Sequence, residues 1–164
     1  CKEFSMTAKM DLPQRSGPAP DTTSRLPHSQ MNQHGPDEVI DQLHAWCFSF
    51  PDVANEDSGI SVPGSRARVL HPERECNHKA FMIGREFAHI HPHPDSGSMH
   101  LMLSADDAAD VVAAGWGEDH YLVTQGHLPP GLIMVFSPRD EGELETVKQI
   151  VARSYAFATG SAGA

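Results

Sequence analysis

The sequence predicts one α+β domain, a largely antiparallel sheet of about four to five strands flanked by about three helices. Three observations carry that expectation. Apolar residues recur at helical spacing in three separate stretches. Short β-type runs cluster mid-chain with a hairpin-like turn between two of them. Thirteen Gly and thirteen Pro in 164 residues punctuate the chain closely and imply much loop. The length suits one compact domain and is too short for two of ordinary size.

Residues 1–35 carry Pro13, Pro18, Pro20, Pro27, Gly17 and Gly35 among Ser, Thr and Gln, with no usable period. They read as an extended arm, draped on the domain or disordered, that adds no strand to the sheet. The chain opens on Cys1 with Met6 and Met10 close behind, so residues 1–5 read as a cloning remnant or a fragment boundary. The domain proper is expected over 36–160, with 161–164 as a tail.

Pro36-Asp37-Glu38 is a good first helical turn, proline at the first position and acids near the positive dipole end. Val39, Ile40, Leu43, Trp46, Cys47 and Phe50 follow at helical spacing until Pro51, giving a helix over 36–49. Ile60-Ser61-Val62 before Pro63-Gly64 reads as a short strand, Ala67–Leu70 as a second, and Ala80–His91 as a longer one. A turn over 92–98 leads into a strand at Met99–Leu103. Ser104 then caps a helix with Val111 and Val112 on its buried stripe, ended by Gly115. Leu132–Phe136 is an all-apolar central strand, and Ser137-Pro138 opens a last helix with Leu144, Val147, Ile150 and Val151 inside. The expected core joins these residues to Ala88, Ile90, Met99, Leu101, Leu103 and Val135.

Charge excludes whole classes of partner. Twelve Lys and Arg against 22 Asp and Glu give −10, which repels phosphate backbones and anionic lipid. No apolar run approaches the ~20 residues needed to cross a bilayer. Neither nucleic acid nor a membrane is expected as a partner, and a small-molecule substrate is. Cys1, Cys47 and Cys76 form no C-x-x-C pair, so neither a disulfide framework nor a thiolate zinc site is expected, and a reducing cytoplasm is. Oligomeric state leaves no mark in this sequence.

Histidine is the anomaly, with 11 in the chain and four between positions 89 and 100. Strand alternation points Ala88 and Ile90 to one face and Arg85, Phe87, His89 and His91 to the other. Pairing His91 with His100 puts Ala88 and Ile90 on the core face with Met99, Leu101 and Leu103. His89, His91 and His100 then converge opposite, beside Met102. Three readings fit such a patch. The histidines are solvated strand residues, or they hold Zn, Fe or Cu with Asp95 or Glu118 completing the set. In the third they form a metal-free acid–base cluster. His93, between two prolines, is expected exposed and dispensable.

Two further groups stand out. In Gly115-Trp116-Gly117-Glu118-Asp119-His120, Trp116 offers a flat apolar wall for a ring-shaped ligand, and His120 follows on an irregular segment where catalytic groups commonly sit. In Ser137-Pro138-Arg139-Asp140, a cation in a first helical turn opposes the dipole and calls for an external partner, either an anionic ligand or a carboxylate such as Glu86.

The blocks E-F-A-H-I-H, D-S-G-S-M-H-L-M-L, G-W-G-E-D-H and S-P-R-D-E-G-E-L, taken together and in this spacing, resemble the luciferase-like domain family over roughly residues 84–157. That family includes fungal luciferases and many uncharacterised bacterial and fungal proteins. Leu12-Pro13 and Ile60–Gly64 resemble its bacterial branch, and Tyr121-Leu122 departs from the family's usual Pro-Leu. More distantly, the element order resembles small α+β domains of the YjbR type. The resemblance implies oxidation of a hydroxylated α-pyrone by O2 with loss of CO2 and no organic cofactor, and a bacterial-type member is expected to emit no light. The expected site takes His89, His91, His100, His120 and Arg139 as catalytic, with Arg85, Asp95, Trp116 and Glu118 binding substrate. No cofactor is expected; the alternative is a divalent Zn or Fe on His89, His91 and His100. The alternatives to a cofactor-independent oxygenase are a metal-dependent enzyme and a non-catalytic small-molecule-binding domain.

Overall fold

Six strands form one antiparallel sheet in the order β1-β2-β3-β4-β6-β5, in a computed structural model that describes residues 8–160. The strands are β1 Val53–Asp57, β2 Arg66–Leu70, β3 Glu86–Ile90, β4 Met99–Met102, β5 Gly117–Asp119 and β6 Leu132–Val135. Four α-helices accompany them: α1 Asp37–Cys47, α2 Ala105–Ala113, α3 Tyr121–Thr124 and α4 Glu141–Ala158. The α+β class with an antiparallel sheet is as predicted, with slightly more strands. The readings of residues 1–5 and 161–164 lie outside the described residues.

α1 and α4 pack on each other, and α4 lies across β3 and β4. That face of the sheet is the core, and every residue of the expected core, from Ala88 to Ile150, belongs to one buried cluster. The α4 guanidinium of Arg153 is buried against Asp107 of α2 at 2.7 Å, tying the two helices together. A second buried cation, Arg68 of β2, is sandwiched between the rings of Phe50 and Phe87 and donates to the carbonyls of Cys47 and Val151.

Local chemistry sets the element ends. Ser104 caps α2 by accepting from the Asp107 amide, as expected, but Val112 lies partly exposed instead of on the buried stripe. α4 starts three residues later than predicted. Asp140 is its cap, accepting from the Glu143 amide, and Pro36 likewise stands just outside α1. Arg139 therefore precedes the helix, and its partner is Glu143 rather than Glu86. Residues 60–62 form a loop, and the strand in that region is β1, whose largely exposed Val-Ala-Asn-Glu-Asp run shows no apolar alternation. The long strand expected from Ala80 shrinks to Glu86–Ile90, preceded by a 3-10 turn at His78–Ala80.

The hairpin between β3 and β4 pairs Ala88 with Leu101, His89 with His100 and Ile90 with Met99. That register is two residues away from the expected one, because His91 pairs with Ser98 across a tighter turn, its amide donating to the Ser98 carbonyl. A two-residue slip keeps every side chain on its face. Gly97 makes the turn possible. It sits at φ +88°, and a Cβ there would come within 2.4 Å of the Ile40 Cδ1 atom.

One bulge changes the faces of β3. Arg68 faces Ala88 but Val69 faces Glu86, so Phe87 is the extra residue. Phe87 turns into the core, and Glu86 joins the histidine face.

The described part of the arm, residues 8–35, lies along the domain. Met10 enters the core, the Arg15 amide donates to the Ala114 carbonyl, and Thr22 and Gln30 bridge each other. No strand of the sheet comes from it among the described residues.

Candidate functional site

On the face of the sheet away from α4, a cavity of about 750 Å³ is floored by His28, His89, His91, His100 and His120. Its mouth carries Leu26, Ile60 and Leu128, all solvent-exposed, above Phe81, Met102 and Leu132. The five floor histidines are themselves buried. Ring centroids separate His89 from His91 by 5.3 Å, His89 from His100 by 5.1 Å and His91 from His100 by 4.5 Å. The face and the convergence expected from strand parity therefore hold.

Hydrogen-bond partners fix which nitrogen of each ring carries the proton. The Glu86 carboxylate only accepts, so at 2.8 Å it takes the Nδ1–H of His89. His89 Nε2 is then an acceptor and receives the Nδ1–H of His100 at 3.0 Å. The chain ends on His100 Nε2, a bare lone pair that is buried with no partner. A second chain has the same form. The Ser98 hydroxyl donates to Asp95 at 2.7 Å and accepts from His91 Nδ1 at 2.8 Å, and Asp95 Oδ2 stands 3.3 Å from the same nitrogen. His120 is opposite in polarity. Its Nδ1 accepts from the Leu122 amide at 3.1 Å as it caps α3, so Nε2 carries the hydrogen into the pocket.

His28 comes from the arm. Its Nε2–H donates to Glu118 at 2.8 Å, and its Nδ1 is buried without a partner. The ring stacks nearly parallel on His100, 5.4 Å away at 17°.

Electrostatics disfavour charge on His89, His100 and His120. Burial, reinforced by His91, His89, His120 and His28, holds the His100 ring well below its ordinary value. Burial and His28 push His120 down to about 4. Burial lowers His89 as well, against the opposing pull of Glu86. Burial works to raise the carboxyls, but their hydrogen bonds win. His89, the Gly59 amide and Ser58 hold Glu86 below its ordinary range, and His91, Ser98 and the Gln30 amide do the same for Asp95. His28 and Thr22 likewise hold Glu118 down.

These shifts share a sign. Histidines with depressed folded values contribute stability that is full above about 6.5 and is lost as pH falls; the carboxylates add a further loss at lower pH. A single ring held near 4 against 6.5 is worth at most about 3 kcal/mol. The melting temperature is therefore expected to fall steadily from pH 7 to pH 4.5, and a flat profile over that window would contradict the lowered proton affinity of His89, His100 and His120.

Two trios have nitrogens within 4.8 Å of one another, His89–His91–His100 and His28–His100–His120. Each offers three histidine nitrogens at a spacing that suits a metal ion. In the hydrogen-bond pattern present, His89 Nε2 accepts from His100, and the Glu86 carboxylate on His89 Nδ1 is the kind of partner that also orients a metal-bound histidine.

The other expected site residues lie elsewhere. Arg85 holds the loop after β2, donating to the carbonyls of Leu70, His71 and Arg74. Trp116 donates its indole N–H to the Pro13 carbonyl, and with Arg139 it lines a separate hollow near the start of α4. Asp95 and Glu118 stand behind histidines instead of facing the cavity. His93 is exposed. Sequence reasoning missed His28, Glu86 and Ser98 in these roles. For His28 the only sequence signal was the histidine excess itself.

A family model described as "Luciferase domain" matches residues 84–154, which hold four of the five floor histidines. The chain carries a luciferase-like domain. It is similar to the luciferase of Armillaria ostoyae, 31% identical over 166 aligned positions that cover 91% of this chain and 62% of that protein. The luciferase of Neonothopanus nambi is 36% identical over 77 positions, 46% of this chain and 28% of that one. The luciferase-like chain thus spans about three fifths of the Armillaria relative it matches. No solved structure matches it. Among the described residues no helix is long and apolar enough to cross a membrane.

Proposed function

We propose that the luciferase-like domain is a cofactor-independent oxygenase of a small enolisable aromatic or pyrone, with His100 as the proton acceptor. The observation that supports this most is the unpartnered Nε2 of His100, backed by the Glu86–His89 chain. A neutral hydroxy-ring enters under the apolar rim and gives its O–H proton to that nitrogen. The Nε2–H of His120 donates to the enolate oxygen so formed, and burial of the floor strengthens that bond. The electron-rich enolate transfers an electron to O2, and the two radicals combine into a C–O bond. The resulting peroxide anion takes back the proton from imidazolium His100, which restores the base. Leu26, Phe81 and Leu128 hold the ring and exclude water.

Oxygen uptake by protein purified without a metal-affinity tag tests this reading, with 4-hydroxy-6-methyl-2-pyrone and its hydroxylated analogues as substrates and elemental analysis of the same sample. Uptake without stoichiometric metal is expected. Uptake that tracks bound Zn, Fe or Ni would favour the metal-dependent enzyme, and a pyrone bound but unconsumed would favour the binding domain.

A further inference from the structure

We infer that the ligand of this pocket carries an uncharged, unbranched alkyl chain on its ring, and that this chain fills the cavity from the histidine floor to the mouth. The inference rests on the reading above for the ring and its hydroxyl, and adds the class of substituent. Four observations support it.

Volume comes first. A cavity of about 150 Å³ already encloses a single benzene ring, and this one measures about 750 Å³. A small hydroxy-ring seated on His100 leaves most of that space unfilled. The walls come second. Away from the floor the lining includes Val62, Phe81, Met82, Met102, Leu122 and Leu132. Phe81 is the one aromatic ring among the lining residues apart from the histidines. Met82 and Met102 are unbranched and repack readily around a flexible chain.

The third observation is polarity. Among the described residues no Lys, Arg, Asp or Glu lines the cavity. An ionised chain end would therefore be buried without a counter-ion, which is costly. Ser29 and Ser61 are the only hydroxyl side chains in the lining, and each already bonds within the protein. Ser29 Oγ donates to the Pro27 carbonyl at 3.5 Å, and Ser61 Oγ shares a hydrogen bond with Ser65 Oγ at 2.8 Å. A hydroxylated aromatic arm would exchange water for hydrocarbon there, at the cost of its own hydrogen bonds. A saturated chain has none to lose.

The mouth is the fourth. Leu26, Ile60 and Leu128 are 53%, 50% and 40% exposed, and they are three of the six large apolar side chains so exposed among the described residues. Single exposed apolar residues are ordinary, but three around one opening form a surface that an apolar ligand covers. A chain rising from the floor meets them as it leaves the cavity.

Anaerobic titration calorimetry of the full chain tests this without turnover, using 4-hydroxy-2-pyrones that carry methyl, propyl, pentyl or heptyl at the 6-position. Affinity is expected to rise about two- to fourfold per added methylene, the gain from burying one CH₂. The 6-(4-hydroxyphenyl) pyrone is expected to bind more weakly than the pentyl compound. Ile60→Asp, at an exposed position of the mouth, is expected to lower the heptyl-to-methyl affinity ratio at least fivefold. An affinity that stays flat or falls with chain length would overturn the inference, as would tighter binding of the hydroxyphenyl compound or an unchanged ratio in Ile60→Asp. Oxygen uptake in air on the same series separates the two readings. Consumption of the methyl pyrone beside a flat series would overturn this inference alone. A rising series that is bound but unconsumed would support the alkyl chain and overturn the oxygenase. Failure of every pyrone to bind would overturn both.

Discussion

His100→Gln is expected to lower oxygen-dependent turnover by about 10²–10⁴-fold, the usual range for loss of a positioned general base. Glutamine is the informative replacement. Its amide can still donate to His89 Nε2, so the Glu86–His89 end of the chain keeps its partner, while no lone pair of suitable basicity remains at the His100 Nε2 position. His100 also sits mid-sheet, paired with His89 on one side and Met134 on the other, so a residue of similar volume protects the packing. The initial rate of oxygen uptake under saturating pyrone is the measurement. A rate within a few-fold of the unaltered protein would remove His100 from the chemistry.

Leu101→Ala is expected to destabilise the domain by about 3–5 kcal/mol. Leu101 lies between Ala88 of β3 and Ile133 of β6, with its side chain under α4 and no exposed surface. Truncation there removes transfer energy and leaves a cavity that central strands cannot close. Denaturant unfolding reads this as a lower midpoint at an unchanged slope. A loss below about 1 kcal/mol would mean that this face of the sheet is not the core.

The core and the histidine face were legible for one physical reason. Side chains alternate along a strand, so parity alone sends Leu101 inward and His100 outward. The expected pairing of His91 with His100 was two residues out, yet a slip of two leaves parity intact, and His89, His91 and His100 still meet. The bulge at Phe87 was not legible, because it arises where β2 meets β3 and leaves no mark within β3 itself. With it went the role of Glu86, which the sequence offered only as a carboxylate partner for Arg139. β1 and β5 lacked signal for a different reason. The first is an exposed polar edge and the second is three residues long.

His28 was hidden most completely. Nothing local distinguishes Pro27-His28-Ser29 from the rest of a proline-rich arm, and its position is set by Glu118, 90 residues away. Arg139 shows the converse. A cation expected in a first helical turn called for an anionic ligand or a carboxylate, and its guanidinium is occupied by the carboxylate of Glu143, not the suggested Glu86. Sequence spacing reports faces and ends well. It cannot report which distant carboxylate a side chain will meet.

The central claim is that the pocket presents His100 as a neutral ring with a bare Nε2. Ring-nitrogen ¹⁵N NMR of the histidines in the full chain, assigned with His100→Gln, tests it most directly. At pH 7 His100 is expected to show a protonated Nδ1 and an unprotonated Nε2, and to keep that pattern well below pH 6.5, because burial and its four histidine neighbours depress its proton affinity. A protonated Nε2 at pH 7, whether as imidazolium or as the other tautomer, would contradict the claim.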